Sequence, residues 1–166
     1  LQSETRVALT PEITGKLQDL GVKIIMEHGA GQGSQLLDSE YEGVEFTDEK
    51  GVLAQSDLLF TVQPTSENTV QKLSTRSIVV GLMYGYSNSN LVKALKNKKL
   101  TSFAMELVPR ISRAQSMDVL SSQATVAGYR AALIAANTLD KFFPMLTSAA
   151  GTIRPAQVLV IGAGVA

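Results

Sequence analysis

The sequence predicts an α/β fold, a parallel sheet with helices on both faces, and three observations carry that prediction. Short apolar runs of strand length alternate with helix-patterned segments of about ten residues. The runs are bounded by Ser, Pro or Gly. They also read as nearly continuous Val, Ile and Leu, the pattern of strands buried on both sides, rather than as an apolar/polar alternation.

Residues 11–20 are predicted helical. Pro11 suits a first helical turn, Ile13, Leu17 and Leu20 recur at helical spacing, and Gly21 supplies a stop. Residues 22–27 form the first strand candidate, and a glycine-rich loop over 29–34 follows it. Two further buried strands are expected at 57–62 and 77–82, with a short helix at 67–73 between them. A helix over 90–98 places Leu91, Val92 and Leu95 on one face, and 100–106 is the next strand. Past Pro109 the character changes. Residues 118–139 are apolar nearly all the way round, so this helix is expected to be buried. Its small residues, Ala124, Ala127, Gly128 and Ala131 among them, admit close neighbours. Residues 144–155 read as a connection, and 157–161 as a strand that runs straight into Gly162-Ala163-Gly164. The organisation that follows is a first domain over 1–109 lacking its first strand, then a loop, long helix and interdomain connection over 110–154. The start of a second domain occupies 155–166.

Composition removes several classes of function. The chain has 166 residues, of which 45% are apolar and 18% charged, and its 15 basic residues cancel its 15 acidic ones. A neutral balance argues against a nucleic-acid partner, which needs a basic face to displace counterions. No run of apolar residues has spanning length, so no membrane insertion is expected of these residues. The absence of cysteine excludes disulfides, thiolate metal sites and cysteine nucleophiles. With His28 the single histidine, neither a histidine metal cluster nor a Ser-His-Asp triad is expected. Both ends read as cut, since Ser3-Glu4-Thr5-Arg6 opens the chain with no strand ahead of it and Ala166 closes it just after a glycine turn. The chain is therefore expected to be a piece of a longer protein whose targeting sequence, if any, lies elsewhere.

Four segments can carry chemistry. A strand followed by Gly162-x-Gly164 opens a dinucleotide fingerprint, the first glycine making a tight turn and the second letting backbone amides approach a pyrophosphate. The same pair also suits an ordinary turn, and the third glycine, the phosphate-binding helix and the ribose-binding acid fall past Ala166. The loop from Arg110 to Ser122 follows a predicted parallel strand, at the end where such sheets bind ligands. It offers Arg110, Arg113, Gln115, Asp118 and Ser121, a donor and acceptor set that suits a carboxamide, ribose or phosphate. Against that, Asp118 or Ser116 can simply cap the long helix while the arginines stay solvated. The loop at 29–34 and the adjacent His28 read as a tight turn and a packing residue, since no phosphate-binding lysine and no obvious carboxylate orienter accompany them. Glu4 and Arg6 either grip a substrate carboxylate or pair with each other at the lip of the first helix. The basic run at 96–99 reads as a solvated helix end.

Taken together the segments resemble the alanine dehydrogenase and pyridine nucleotide transhydrogenase superfamily over nearly the whole chain. The resemblance rests on Glu4-Thr5-Arg6-Val7-Ala8-Leu9-Thr10-Pro11, on Glu27-His28-Gly29-Ala30-Gly31 and on Asp38-Ser39-Glu40-Tyr41. Its most specific block runs from Met105 through Pro109-Arg110-Ile111-Ser112-Arg113-Ala114-Gln115-Ser116-Met117-Asp118, with Ser121-Ser122-Gln123 and Gly128-Tyr129-Arg130 behind it. Val160-Ile161-Gly162-Ala163-Gly164-Val165-Ala166 completes it. The resemblance implies a Rossmann-like first domain and the first strand of a second, NAD-binding Rossmann domain. It also implies a catalytic lysine and histidine in the alanine dehydrogenase branch, at positions that here read Gln63 and Tyr84. Neither residue can serve as the ammonium or imidazole acid-base group of that branch.

The transhydrogenase branch fits better. There the residues matching Arg110, Gln115, Asp118 and Ser121 contact the nicotinamide end of NAD(H), with Gln115 and Asp118 closest to the chemistry, and Gly162 and Gly164 serve the pyrophosphate. Direct hydride transfer between two nicotinamides moves no proton on a substrate heteroatom, so it needs orientation rather than a general base. The implied partners are a second copy in a homodimer, an NADP(H)-binding component, and a membrane subunit that conducts protons. The implied location is peripheral to the inner membrane on its cytoplasmic face, or the matrix face in a mitochondrion. The rival readings are an alanine dehydrogenase-like or saccharopine-forming amino-acid dehydrogenase, and a non-catalytic NAD(H)-binding module.

Overall fold

The computed structural model describes residues 4–166; Ser3 of the opening cluster lies outside them. The described residues fall into two compact units, the first ending at Val108 and the second spanning Pro109–Ala166.

In the first unit helices alternate with parallel strands: α1 Pro11–Asp19, β1 Ile25–Glu27, β2 Glu45–Thr47, α2 Glu49–Gln55, β3 Leu58–Phe60, α3 Glu67–Lys72, β4 Ile78–Gly81, α4 Ser89–Asn97 and β5 Thr101–Ala104. The strands pair in two groups. β1 lies parallel to β2 with Met26 opposite Phe46, while β3, β4 and β5 lie parallel with Leu59 opposite Val79 and Val80 opposite Phe103. Side-chain caps fix where three of the helices begin. Asp48 accepts from the Gly51 amide (2.8 Å) at α2, Ser66 from the Thr69 amide (3.0 Å) at α3, and Asn88 from the Leu91 amide (3.4 Å) at α4.

The larger core is formed by Leu53 of α2, Leu59, Val70, Leu73 and Val79, with Leu91 and Leu95 of α4. Each fully buried aliphatic side chain stabilises the fold by roughly 1.5–3 kcal/mol. A smaller core gathers Ile24, Met26 and Tyr41. Tyr41 sends its hydroxyl to the Leu9 carbonyl (3.0 Å), giving the buried phenol the acceptor it needs. Gly31 is required by the same packing, since a Cβ there would sit 2.6 Å from the Leu36 carbonyl oxygen and 2.9 Å from the Tyr41 hydroxyl. The α/β reading and its parallel pairing hold. β2 and α2 lie where no element was expected, because a three-residue strand is too short to establish a period.

In the second unit a 3-10 turn, Ser112–Met117, leads into α5, Val119–Thr138. Three expectations are corrected here. The helix over 118–139 forms, but none of its residues is buried. An all-round apolar helix needs partners on every side, and the rest of this unit supplies a short hairpin and an extended tail. The connection over 144–155 contains that hairpin, β6 Leu146–Ser148 antiparallel to β7 Gly151–Ile153, with Gly151 taking a φ of +125° that a side chain would strain. Residues 157–161 do not form the expected strand and stay extended and exposed, Ile161 at 92%. A strand exists through its ladder, and among the described residues none pairs with that run.

Candidate functional site

The loop entering α5 is organised by Asp118, which serves as the helix N-cap. Its Oδ1 accepts from the Ser121 amide (3.0 Å) and its Oδ2 from the Ser121 hydroxyl (2.7 Å). Arg110 reaches back across the loop, donating through Nη2 to Ser121 Oγ (3.2 Å) and lying 3.5 Å through Nε from Asp118 Oδ2. Three of the residues expected at a nicotinamide thus form one hydrogen-bonded triangle. The capping alternative holds as well, with Asp118 rather than Ser116 as the cap.

The electrostatics of the triangle favour a permanent carboxylate. The hydroxyl and amide of Ser121 hold the Asp118 carboxyl below its ordinary value, and the Arg110 charge adds to the effect. The Asp118 side chain is 13% exposed and that of Arg110 66% exposed, so an acceptor sits at the base of the loop under an outward guanidinium. Gln115 and Arg113 stand exposed on the 3-10 turn, and the Gln115 carbonyl accepts from the Asp118 amide (3.3 Å). The triangle plus Gln115 can therefore present a fixed anion, a guanidinium and an amide to one ligand. Gly162, at φ +104°, and Gly164 lie in the extended tail with open space where a Cβ would stand.

The first unit carries a second cluster, at the ends of β3 and β4. Glu4 accepts from Arg6 through both carboxylate oxygens (Nε 2.8 Å, Nη2 2.7 Å) and from the Arg6 amide (2.9 Å), while Gln63 donates to it at 2.6 Å. Of the two readings of Glu4 and Arg6, mutual pairing is the one observed. The bonds from Arg6, then Gln63, hold the Glu4 carboxyl far below the usual carboxylate range, and the bond to Glu4 raises Arg6. Tyr84 occupies a left-handed backbone, φ 48°, which is costly for a side chain of its size. Glu106 secures that turn by accepting from the Met83 amide (3.1 Å) and the Tyr84 amide (2.7 Å). Sequence reasoning missed Glu106, because a carboxylate bonded to backbone 22 residues away leaves no local pattern.

His28 does have a carboxylate beside it. Its Nδ1 lies 3.3 Å from Asp38 Oδ2, and its ring stacks on Phe46 at 5.8 Å. Asp38 is engaged mainly by the Gly29 amide (3.0 Å), so the histidine borders a structural turn, as expected of a packing residue. Among the described residues no group of three or more acidic, histidine or cysteine side chains could hold a metal ion, and no helix is long and apolar enough to cross a membrane.

The family described as "Alanine dehydrogenase/PNT, N-terminal domain" matches residues 1–127, and the companion C-terminal domain matches 131–166. An NAD(P) transhydrogenase subunit alpha chain of Rhodospirillum rubrum is 42% identical over 171 residues, covering 98% of this chain and 44% of that protein. An alanine dehydrogenase of Methanococcus maripaludis is 28% identical over 169 residues, covering 98% and 45%. Among solved structures, transhydrogenase from Sinorhizobium meliloti superposes with a TM-score of 0.93 at 42% identity, covering 98% of this chain and 49% of that one. The chain spans about half the length of these relatives.

Proposed function

Because this chain belongs to the alanine dehydrogenase/PNT family, we propose that it is part of the NAD(H)-binding component of a proton-translocating NAD(P) transhydrogenase. In this reading hydride passes directly between NADH on this component and NADP+ on a partner component. The observation that carries the reading is the Arg110–Asp118–Ser121 triangle. The residues present fit a nicotinamide nucleotide. Asp118 Oδ1 has acceptor capacity beyond its bond to Ser121, and Arg110 has N–H donors beyond the one it gives to Ser121.

The dinucleotide, when bound, supplies the hydride at its nicotinamide ring. The work of this chain is positional. Asp118 and Ser121 hydrogen-bond the carboxamide and ribose region, and Arg110 holds the loop while balancing the cofactor's charge. Gln115, exposed on the turn, faces the second nucleotide, and Gly162 and Gly164 let the backbone approach the pyrophosphate. Fixing two rings in contact lowers the barrier by settling their orientation in advance, and no proton need be moved.

The alanine dehydrogenase alternative is disfavoured at Gln63. Its amide is bonded to Glu4, where that branch is expected to hold an ammonium group. The component is further proposed to act as a homodimer, peripheral to the membrane, alongside an NADP(H) component and a membrane subunit. Support for a dimer comes from Tyr129 and Ile134 of α5 and Ile153 of the hairpin, apolar groups exposed at 71%, 53% and 49%. The test is an Asp118→Asn exchange in the full-length protein. Asparagine caps a helix as well as aspartate does, so helix content is expected to hold while hydride transfer falls about tenfold or more, the loss expected for a charge-assisted hydrogen bond. Undiminished transfer would remove the role given to the triangle.

A further inference from the structure

The parallel strands of the first unit leave two inner edges facing one cleft. In the β1–β2 pair the Glu45 amide donates to the Ile24 carbonyl and the His28 amide to the Thr47 carbonyl. Backbone groups of alternate residues point to opposite sides of a strand. Ile24, Met26 and His28 therefore face β2, while the amides of Ile25 and Glu27 face the other way. At β3 the Ile78 amide donates to the Asp57 carbonyl and the Thr61 amide to the Val80 carbonyl. Leu58 and Phe60 then turn their backbone groups away from β4. All four of these outward residues line a single cleft of about 1110 Å³.

The helices point to what this cleft receives. α2 joins β2 to β3, α3 joins β3 to β4, and α4 joins β4 to β5, so each follows one parallel strand and leads into the next. α1 leads into β1 in the same manner, and the segment ahead of it, residues 6–9, lines the same cleft. A crossover helix returns the chain to a strand parallel to the one it left and in the same sheet.

We infer that the cleft between the open edges of β1 and β3 is a slot for one extended apolar segment of the full-length protein, the stretch of polypeptide leading into Glu4, which enters as a parallel strand and joins the two groups into one sheet. The order becomes β2, β1, the inserted strand, β3, β4, β5. Such a strand lies about 4.8 Å from each neighbour and takes up the amides and carbonyls that both edges present. Its side chains are apolar on both faces, as for any inner strand of a parallel sheet. The cleft is then part of the sheet rather than a pocket for a small substrate. This inference is independent of the reaction proposed above.

Residue-resolved amide hydrogen exchange on the full-length protein and on the 166-residue chain tests it. The amides of Ile25, Glu27, Leu58 and Phe60 are expected to exchange about tenfold or more slowly in the full-length protein, the factor that one added backbone hydrogen bond supplies. The Ser102 amide, on the outer edge of β5, serves as the control and is expected to change little. A synthetic peptide of the residues preceding Glu4, added to the 166-residue chain, is expected to slow the same four amides. Equal rates at the four amides in both proteins, equal slowing at Ser102, or no response to the peptide would each overturn the inference.

Discussion

Asp118 is where one side chain does two jobs that the sequence could list but not combine. Its spacing from Ser121 makes it a cap, and its neighbours Arg110 and Ser121 make it a fixed acceptor. The residue types were legible in the sequence. Their mutual bonding was not, because Arg110 and Ser121 meet only after the 3-10 turn has folded the loop back. Glu4 gives a residue-scale prediction with a definite sign. Its folded-state carboxyl is held far below the ordinary 4.5 by Arg6 and Gln63, so the stability it adds is fully present above that value and is lost as the pH falls beneath it. Glu4→Gln is therefore expected to destabilise the first unit at pH 7, with the difference from the parent shrinking as the solution is acidified below about 4.5, as read by urea titration at several pH values. A pH-independent difference would show that the pairing seen here contributes nothing to folding.

At the scale of elements, those with long periodic patterns were legible. α1, α4 and α5 fall within a residue or two of their expected bounds because Ile13, Leu17, Leu91 and Leu95 mark a face, while Pro11 and Asp118 mark where a helix can start. β2, α2 and the β6–β7 hairpin were missed, being three to seven residues long. Asp48 as a cap and Gly151 as a turn residue were the signals present for two of them. Leu91, 1% exposed in the larger core, anchors α4 over the β3–β5 group, and Leu91→Ala is expected to cost about 2–5 kcal/mol in thermal or denaturant unfolding. α5 poses the opposite case. Its sequence demands burial and the helix has no buried residue, so its partners are expected in the remainder of the protein or in a second copy. Ile134→Arg in the full-length protein is expected to leave helix content unchanged and shift the dimer toward monomer in light scattering; an unchanged mass would relocate the interface.

On the scale of the whole molecule, chemistry and inventory agree. A chain with one histidine, no cysteine and, among its described residues, no acidic metal cluster has little with which to move protons on a substrate, whereas a loop that holds guanidinium, carboxylate, hydroxyl and amide in fixed relation can orient a nicotinamide. The parallel architecture and the loop were legible because they recur as ordered motifs along the chain. The failed strand at 157–161 was not, because a strand is a property of its neighbours. The most direct measurement mixes the full-length protein with a transhydrogenase NADP(H) component and follows reduction of an NAD analogue by NADPH, with and without Gln115→Ala. Rapid exchange, lost in the variant while NADH binding persists, is the predicted result. NADH binding without any exchange, or NAD reduction driven by alanine instead, would contradict the account.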